Sequence, residues 1–123
     1  MARKQFAIWK IGEEEYKLKL KASTICDLEE KIKMGLMDVL GNARTMPALT
    51  IMLTITHAAM KDWNNGIKRK DVDDLFDRYI EEGGSQLEFF STVFMDIYNV
   101  SGFFTESQSE MMEENQEKVK EML

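Results

Sequence analysis

The chain has 123 residues, 44% of them apolar and 31% charged, and its 22 acidic against 16 basic side chains give a net charge of −6. That length supports one domain able to bury roughly two thirds of its unfolded surface, with no room for a second. The acidic balance, and the lack of a lysine and arginine patch interleaved with aromatics, argue against nucleic acid as a partner. No segment has the sustained apolar run of a membrane span or signal peptide, and the lone Cys26 cannot form an internal disulfide, as suits a reducing cytoplasm.

Residues 6–11 (FAIWKI) are rich in aromatic and β-branched side chains, 12–15 supply a polar turn, and 16–20 (YKLKL) alternate apolar residues with lysine. This pattern predicts a β-hairpin with one wet face, whose Tyr16, Leu18 and Leu20 side needs cover from another element. Helical signals then run to the end. Ser23 or Thr24 is placed to cap a helix bearing Ile25, Leu28 and Ile32, Gly35 is placed to stop it, and Cys26 reads as a small packing residue on it. A short apolar turn over 36–40 and a loop over 41–45 lead to Pro47, which suits the first turn of a helix running to about Trp63. Leu49, Met52, Leu53, Met60 and Trp63 share one face of that helix, and Ala48, Ile51, Ile55, Ala58 and Ala59 make most of the rest apolar. Only Thr50, Thr54, His57 and Lys61 form a polar stripe, so the helix either sits at the centre of the fold or turns a second face to a partner.

Residues 71–82 predict another amphipathic helix, burying Val72, Leu75, Phe76, Tyr79 and Ile80, facing Asp73, Asp74 and Asp77 outward, and ending at Gly83. Ser85 can cap the next, from Gln86 to about Val100, whose apolar arc of Leu87, Phe89, Phe90, Val93, Phe94, Ile97 and Tyr98 is broader than one core contact requires. Gly102 breaks it, and Phe103 and Phe104 are expected to fold back onto the core. The tail carries six glutamates and two lysines, a capping-box spacing at Ser107 and Glu110, and a thin stripe of Met111, Met112, Val119, Met122 and Leu123. It reads either as a solvated terminus or as an adaptable methionine-rich helix that docks on a partner. The expected architecture is mainly α, an N-terminal β-hairpin packed on a bundle of about four to five helices, with residues 1–104 as one globular domain and 105–123 as an acidic amphipathic tail.

Catalytic and metal-binding patterns are missing. His57 is the sole histidine and has no second histidine or cysteine at ligand spacing, so neither a zinc site nor a nucleophile pair has a basis. The acids between Asp71 and Asp77 lack the glycine and terminal glutamate of a calcium loop, and Gly83-Gly84 joins two helices rather than cradling a phosphate. No enzymatic activity, metal or cofactor is expected, and function should lie in surfaces that bind other proteins. Met52, Phe89 and Phe90, with Met111, Met112, Val119, Met122 and Leu123 of the tail, are the candidate contacts. Residues 1–22 carry a net +3 and the tail −4, a polarity that would support head-to-tail self-association.

The order of YKLKLKAST, DLEEKIKMG, the Pro47 helix, DVDDLFDRYIEEGGS, a long hydrophobic helix and SGFF resembles the tail assembly chaperones of long-tailed bacteriophages and prophages of Gram-positive bacteria. The resemblance covers roughly residues 6–104 and implies a mostly helical protein that binds the tape measure protein before and during tail-tube polymerisation. It further implies the tail tube protein as a second candidate partner, the bacterial host cytoplasm as the location, and absence from the mature virion. A small acidic protein with surplus apolar helix faces suits that task, since a long helical apolar protein must be kept from aggregating. The alternative is a small regulatory or adaptor protein of a mobile element.

Overall fold

The computed structural model describes residues 4–41 and 46–122, with the backbone alone at 112, 115–117, 119, 120 and 122. An antiparallel hairpin, β1 (Ala7–Ile11) and β2 (Glu14–Leu18), precedes the helices α1 (Ala22–Ile32), α2 (Leu36–Gly41), α3 (Leu49–Lys61) and α4 (Arg69–Glu81). A composite helix follows, made of α5 (Gln86–Glu88), a π-helical stretch (Phe89–Phe94) and α6 (Met95–Val100), and the last element is α7 (Glu106–Met122). The fold is therefore mainly helical with an N-terminal hairpin, as expected. With the composite taken as one helix there are six among the described residues, because the apolar turn at 36–40 and the tail are both helical.

The hairpin is tighter than its polar turn suggests. Ile11 pairs with Glu14, so the turn is Gly12-Glu13 alone, and Glu14 and Glu15 belong to β2. Gly12 at φ 61 provides the positive φ that a type II′ turn needs at its first central position, the geometry that follows the strand twist. Ala7, Trp9, Ile11 and Leu18 face the core, while Ile8, Lys10 and Lys17 face out. The Glu14 carboxylate accepts from the Tyr16 hydroxyl (2.7 Å) and from Arg78 Nη1 (3.0 Å), which ties the hairpin to α4.

α3 is the central helix: β2, α1, α4 and the π stretch all pack on it, burying Met52, Leu53, Ile55, Ala58, Ala59 and Met60. Both of its apolar faces are thus consumed by the fold. Pro47 lies two residues before the first helical residue instead of in the first turn, and Arg69 lies across the polar stripe, its Nε donating to Thr54 Oγ1 (3.2 Å).

The ends of α1 differ from expectation. It starts at Ala22 with no side-chain cap, because Thr24 points inward and donates to Asp62 Oδ2 (3.3 Å). It stops at Lys33, which adopts φ 61 while Met34 N–H reaches back to the Glu29 carbonyl (3.3 Å), two residues before Gly35. Cys26 is exposed, not a packing residue. On α4, Val72, Leu75, Phe76 and Tyr79 are buried as expected, but Ile80 is 41% exposed. Gly83 (φ 100) ends α4, and Ser85 Oγ caps the next helix by accepting from Glu88 N–H (3.0 Å).

Residues 86–100 were expected to form one continuous α-helix; a π-helical stretch interrupts it. Met95 N–H bonds to the Phe90 carbonyl, five residues back, and the Thr92 hydroxyl takes the Glu88 carbonyl (2.7 Å) that sits four residues before it. The wider turn places Phe89, Val93, Phe94, Ile97 and Tyr98 together in the core. Phe89 meets Trp9 at 5.0 Å and Phe76 at 5.3 Å between ring centroids, and Phe94 meets Tyr98 at 5.3 Å. This change of pitch absorbs most of the arc that looked too broad for one core, leaving Phe90 half-buried and Leu87 exposed. Tyr98 donates to the Leu36 carbonyl (2.7 Å), and Phe103 folds back onto Tyr98 at 4.7 Å.

α7 opens with a reciprocal cap between Thr105 and Gln108 (3.2 and 2.9 Å), two residues before the predicted Ser107–Glu110 box. It packs on the π stretch, buries Ser109, and brings Glu113 Oε1 to Asn99 Nδ2 (3.4 Å). Asn99 also donates to Asp96 (3.3 Å), and Lys4 Nζ pairs with the buried Asp96 carboxylate at 2.7 Å. The first turns of the tail are therefore part of the folded body. No described helix is long and apolar enough to cross a membrane.

Candidate partner-binding surfaces

The expected contact residues separate into three groups. Met52 and Phe89 are fully buried (0% exposed) and serve the core, so neither presents a face to a partner. Central packing of α3 and the π turn are the physical reasons. Phe90 is half-buried and stacks on Phe94 at 6.1 Å, whereas Met111 is 64% exposed on α7. The side chains of Met112, Val119 and Met122, and all of Leu123, lie outside the described residues. Ile80 (41% exposed), expected in the core, and Leu87 (52%), part of the arc too broad for one core, are left facing out on either side of the Gly83-Gly84 joint.

The tertiary structure also builds a surface that sequence reasoning dismissed. Phe6 and Trp63 meet edge to face at 4.9 Å, and the ammonium groups of Lys17 and Lys19 stand 5.2 and 5.9 Å from the Phe6 centroid. Lys21 stands 5.2 Å from the Trp63 ring. Ring faces attract cations, and the C-terminal end of α3 beside them adds a favourable dipole. The strip is fixed to α3: Lys19 N–H donates to the Ala59 carbonyl (3.1 Å), Trp63 Nε1 to the Lys19 carbonyl (2.9 Å) and Asn64 Nδ2 to the Lys17 carbonyl (2.9 Å). Asp62 is the only described carboxylate within ion-pair range of these lysines, 4.0 Å from Lys21. The absence of a basic and aromatic patch, inferred from sequence, is thus corrected for this one strip. Its signal was the period-two alternation of Lys17, Lys19 and Lys21, which puts all three on one side of an extended segment. The aromatic half comes from positions 6 and 63, which no local pattern links.

A groove of about 340 Å³ lies where the hairpin turn meets the α4–α5 joint, lined by Lys10, Gly12, Tyr79, Glu82, Gly84 and Glu88 among others. Tyr79 donates to Glu88 Oε1 (2.9 Å), and burial, with that hydrogen bond, pushes its phenol well above the usual tyrosine range. This tyrosine is locked as a structural donor. His57 Nε2 is engaged by the Ile67 carbonyl at 3.0 Å, and among the described residues no three histidine, cysteine or acidic side chains are grouped to hold a metal.

No curated protein and no solved structure matches the chain significantly. A family of unknown function does match, over residues 2–122, and with nearly the whole sequence covered the chain belongs to that family, DUF6096.

Proposed function

We propose that this protein is an assembly chaperone that works through its surface, holding an apolar helical partner, and that the partner is the tape measure protein of a bacteriophage tail. The observation that carries the binding role is the pair Ile80 and Leu87, large apolar side chains left in water beside the Gly83-Gly84 joint although the core next to them is densely packed. Two such residues on successive helices suit the apolar face of an incoming helix. The choice of partner rests on the resemblance carried by YKLKLKAST, DVDDLFDRYIEEGGS and SGFF. Acidic charge, net −6, suits a carrier that must stay dispersed while it covers an apolar client.

The test is co-expression with a candidate tape measure protein, followed by size exclusion with light scattering. A soluble complex is expected where the long protein alone precipitates. Replacing Ile80 and Leu87 with serine should weaken capture at least about tenfold, with the thermal melt unchanged. Two proteins that stay apart would discard the chaperone reading in favour of a regulatory or adaptor role.

A further inference from the structure

Glycines keep the groove at the hairpin turn open: Gly12 lines it from the turn, Gly83 and Gly84 from the α4–α5 joint. A Cβ on Gly12 would fall 2.9 Å from both oxygens of the Glu82 carboxylate, which therefore lies against the turn, within the groove. A Cβ on Gly83 would meet nothing within 4 Å, so the wall at the joint is bare. Glu88 enters from α5. The Tyr79 hydroxyl holds its Oε1 at 2.9 Å, which fixes the carboxylate and leaves Oε2 to accept from elsewhere. Arg78, the cation that feels the charge of Glu82, is given to Glu14 at 3.0 Å. Lys10, the one cation among the described lining residues, stands opposite Glu15 in the hairpin register, where its charge is matched across the strand pair. The recess thus holds two carboxylates, on two different elements, with acceptor oxygens to spare. Beside it lie the exposed Ile80 and Leu87, chain neighbours of the lining residues Tyr79 and Glu88.

We propose that this groove receives a cationic side chain, arginine above lysine, from the helix whose apolar face lies on Ile80 and Leu87. Arginine has the required shape: an apolar stem that can cross the exposed aliphatic residues, and a planar fork whose donors reach two carboxylates at once. Charge-assisted hydrogen bonds of this kind are roughly twice as strong as neutral ones. The groove supplies the specificity that two aliphatic side chains lack. Ile80 and Leu87 suit any apolar helix face, and the recess selects a helix with a basic residue beside its apolar stripe. The inference rests on the helix-holding role proposed above, and not on the identity of the helix.

Backbone amide NMR of the isotope-labelled full chain tests it, since Gly12, Gly83 and Gly84 place three reporters in the groove wall. Acetyl-arginine amide should shift these resonances, and acetyl-citrulline amide, of the same shape without the charge, should bind at least about tenfold more weakly. Glu82→Gln combined with Glu88→Gln should remove that difference and leave the fold intact, because glutamine keeps an acceptor for the Tyr79 hydroxyl. A second arm uses two synthetic helical peptides with a leucine stripe, one bearing a single arginine beside the stripe and the other citrulline. The arginine peptide should bind at least about tenfold more tightly, and Ile80→Ser with Leu87→Ser should weaken both peptides alike. Glycines that ignore the arginine amide, equal binding of the two peptides, or a preference that survives in the glutamine variant would each overturn the proposal. So would calcium chloride that moves the same glycines at lower concentration, or an arginine amide that binds while neither peptide does, since the ligand would then be a metal ion or a free cation. An arginine peptide held by a chain that leaves the tape measure candidate unbound supports the groove and discards the chaperone reading.

Discussion

Lys33 occupies a left-handed conformation (φ 61) at the end of α1, where glycine carries no Cβ penalty. Lys33→Gly should therefore raise stability by about 0.5–1 kcal/mol, read as a shift in urea midpoint with an unchanged slope. Tyr98 shows the opposite economy. Burial, and to a lesser degree the charge of Glu29, pushes its phenol well above the ordinary 10.0. Tyr79 is raised too, by burial first and then by its bond to Glu88. A group raised on folding contributes stability that is whole below its unfolded value and is lost as pH rises toward the folded one. The protein should accordingly lose stability as pH climbs past about 10, and Tyr98→Phe should flatten part of that slope in pH-dependent melts. The same variant should cost about 1 kcal/mol at neutral pH by freeing the buried Leu36 carbonyl.

At the scale of elements, junctions decide the arrangement. A Cβ built on Gly84 falls 2.5 Å from the Tyr79 ring, which is held in place by its bond to Glu88. Gly84→Ala should thus destabilise by about 1–3 kcal/mol, and combining it with Tyr79→Ala should cost less than the sum of the two, a coupling measurable in a double-mutant cycle. Ser85 and Gly83 were legible in the sequence because capping and left-handed termination are local chemistry. The π stretch was not: its apolar pattern is compatible with an ordinary α-helix, and the wider turn accompanies the burial of five side chains, Phe89, Val93, Phe94, Ile97 and Tyr98, in one core where Phe89 meets Trp9 and Phe76. The Thr105–Gln108 cap had a readable signal, T-x-x-Q, that competed with an equally good spacing two residues later.

Over the whole molecule, the buried apolar cluster of the described residues runs from Ala7 to Val100, Phe103 and Phe104 pack against it, and Ser109 is the buried residue among the described α7 side chains. Deleting residues 106–123 should leave a cooperative melt, lowered by about 1–3 kcal/mol; a truncated chain without a melting transition would make α7 an integral part of the core. That the protein is mainly helical and opens with a hairpin was determined by the sequence alone, through period-two and period-3.6 patterning and glycine punctuation, whereas the choice between a central α3 and one that turns a face to a partner was made by the packing of β2, α1, α4 and the π stretch around it. Which apolar residues remain for partners was decided only by the tertiary structure. Met52 and Phe89 look like surplus in one dimension and prove to be core, while Ile80 looks like core and proves exposed, and of the broad arc it is Leu87 that stays in water. Phe6 and Trp63 become neighbours of three lysines only when β2 is fastened to the end of α3. Local patterning dictates which side of an element is apolar; how much of that side is covered depends on contacts between residues far apart in the chain.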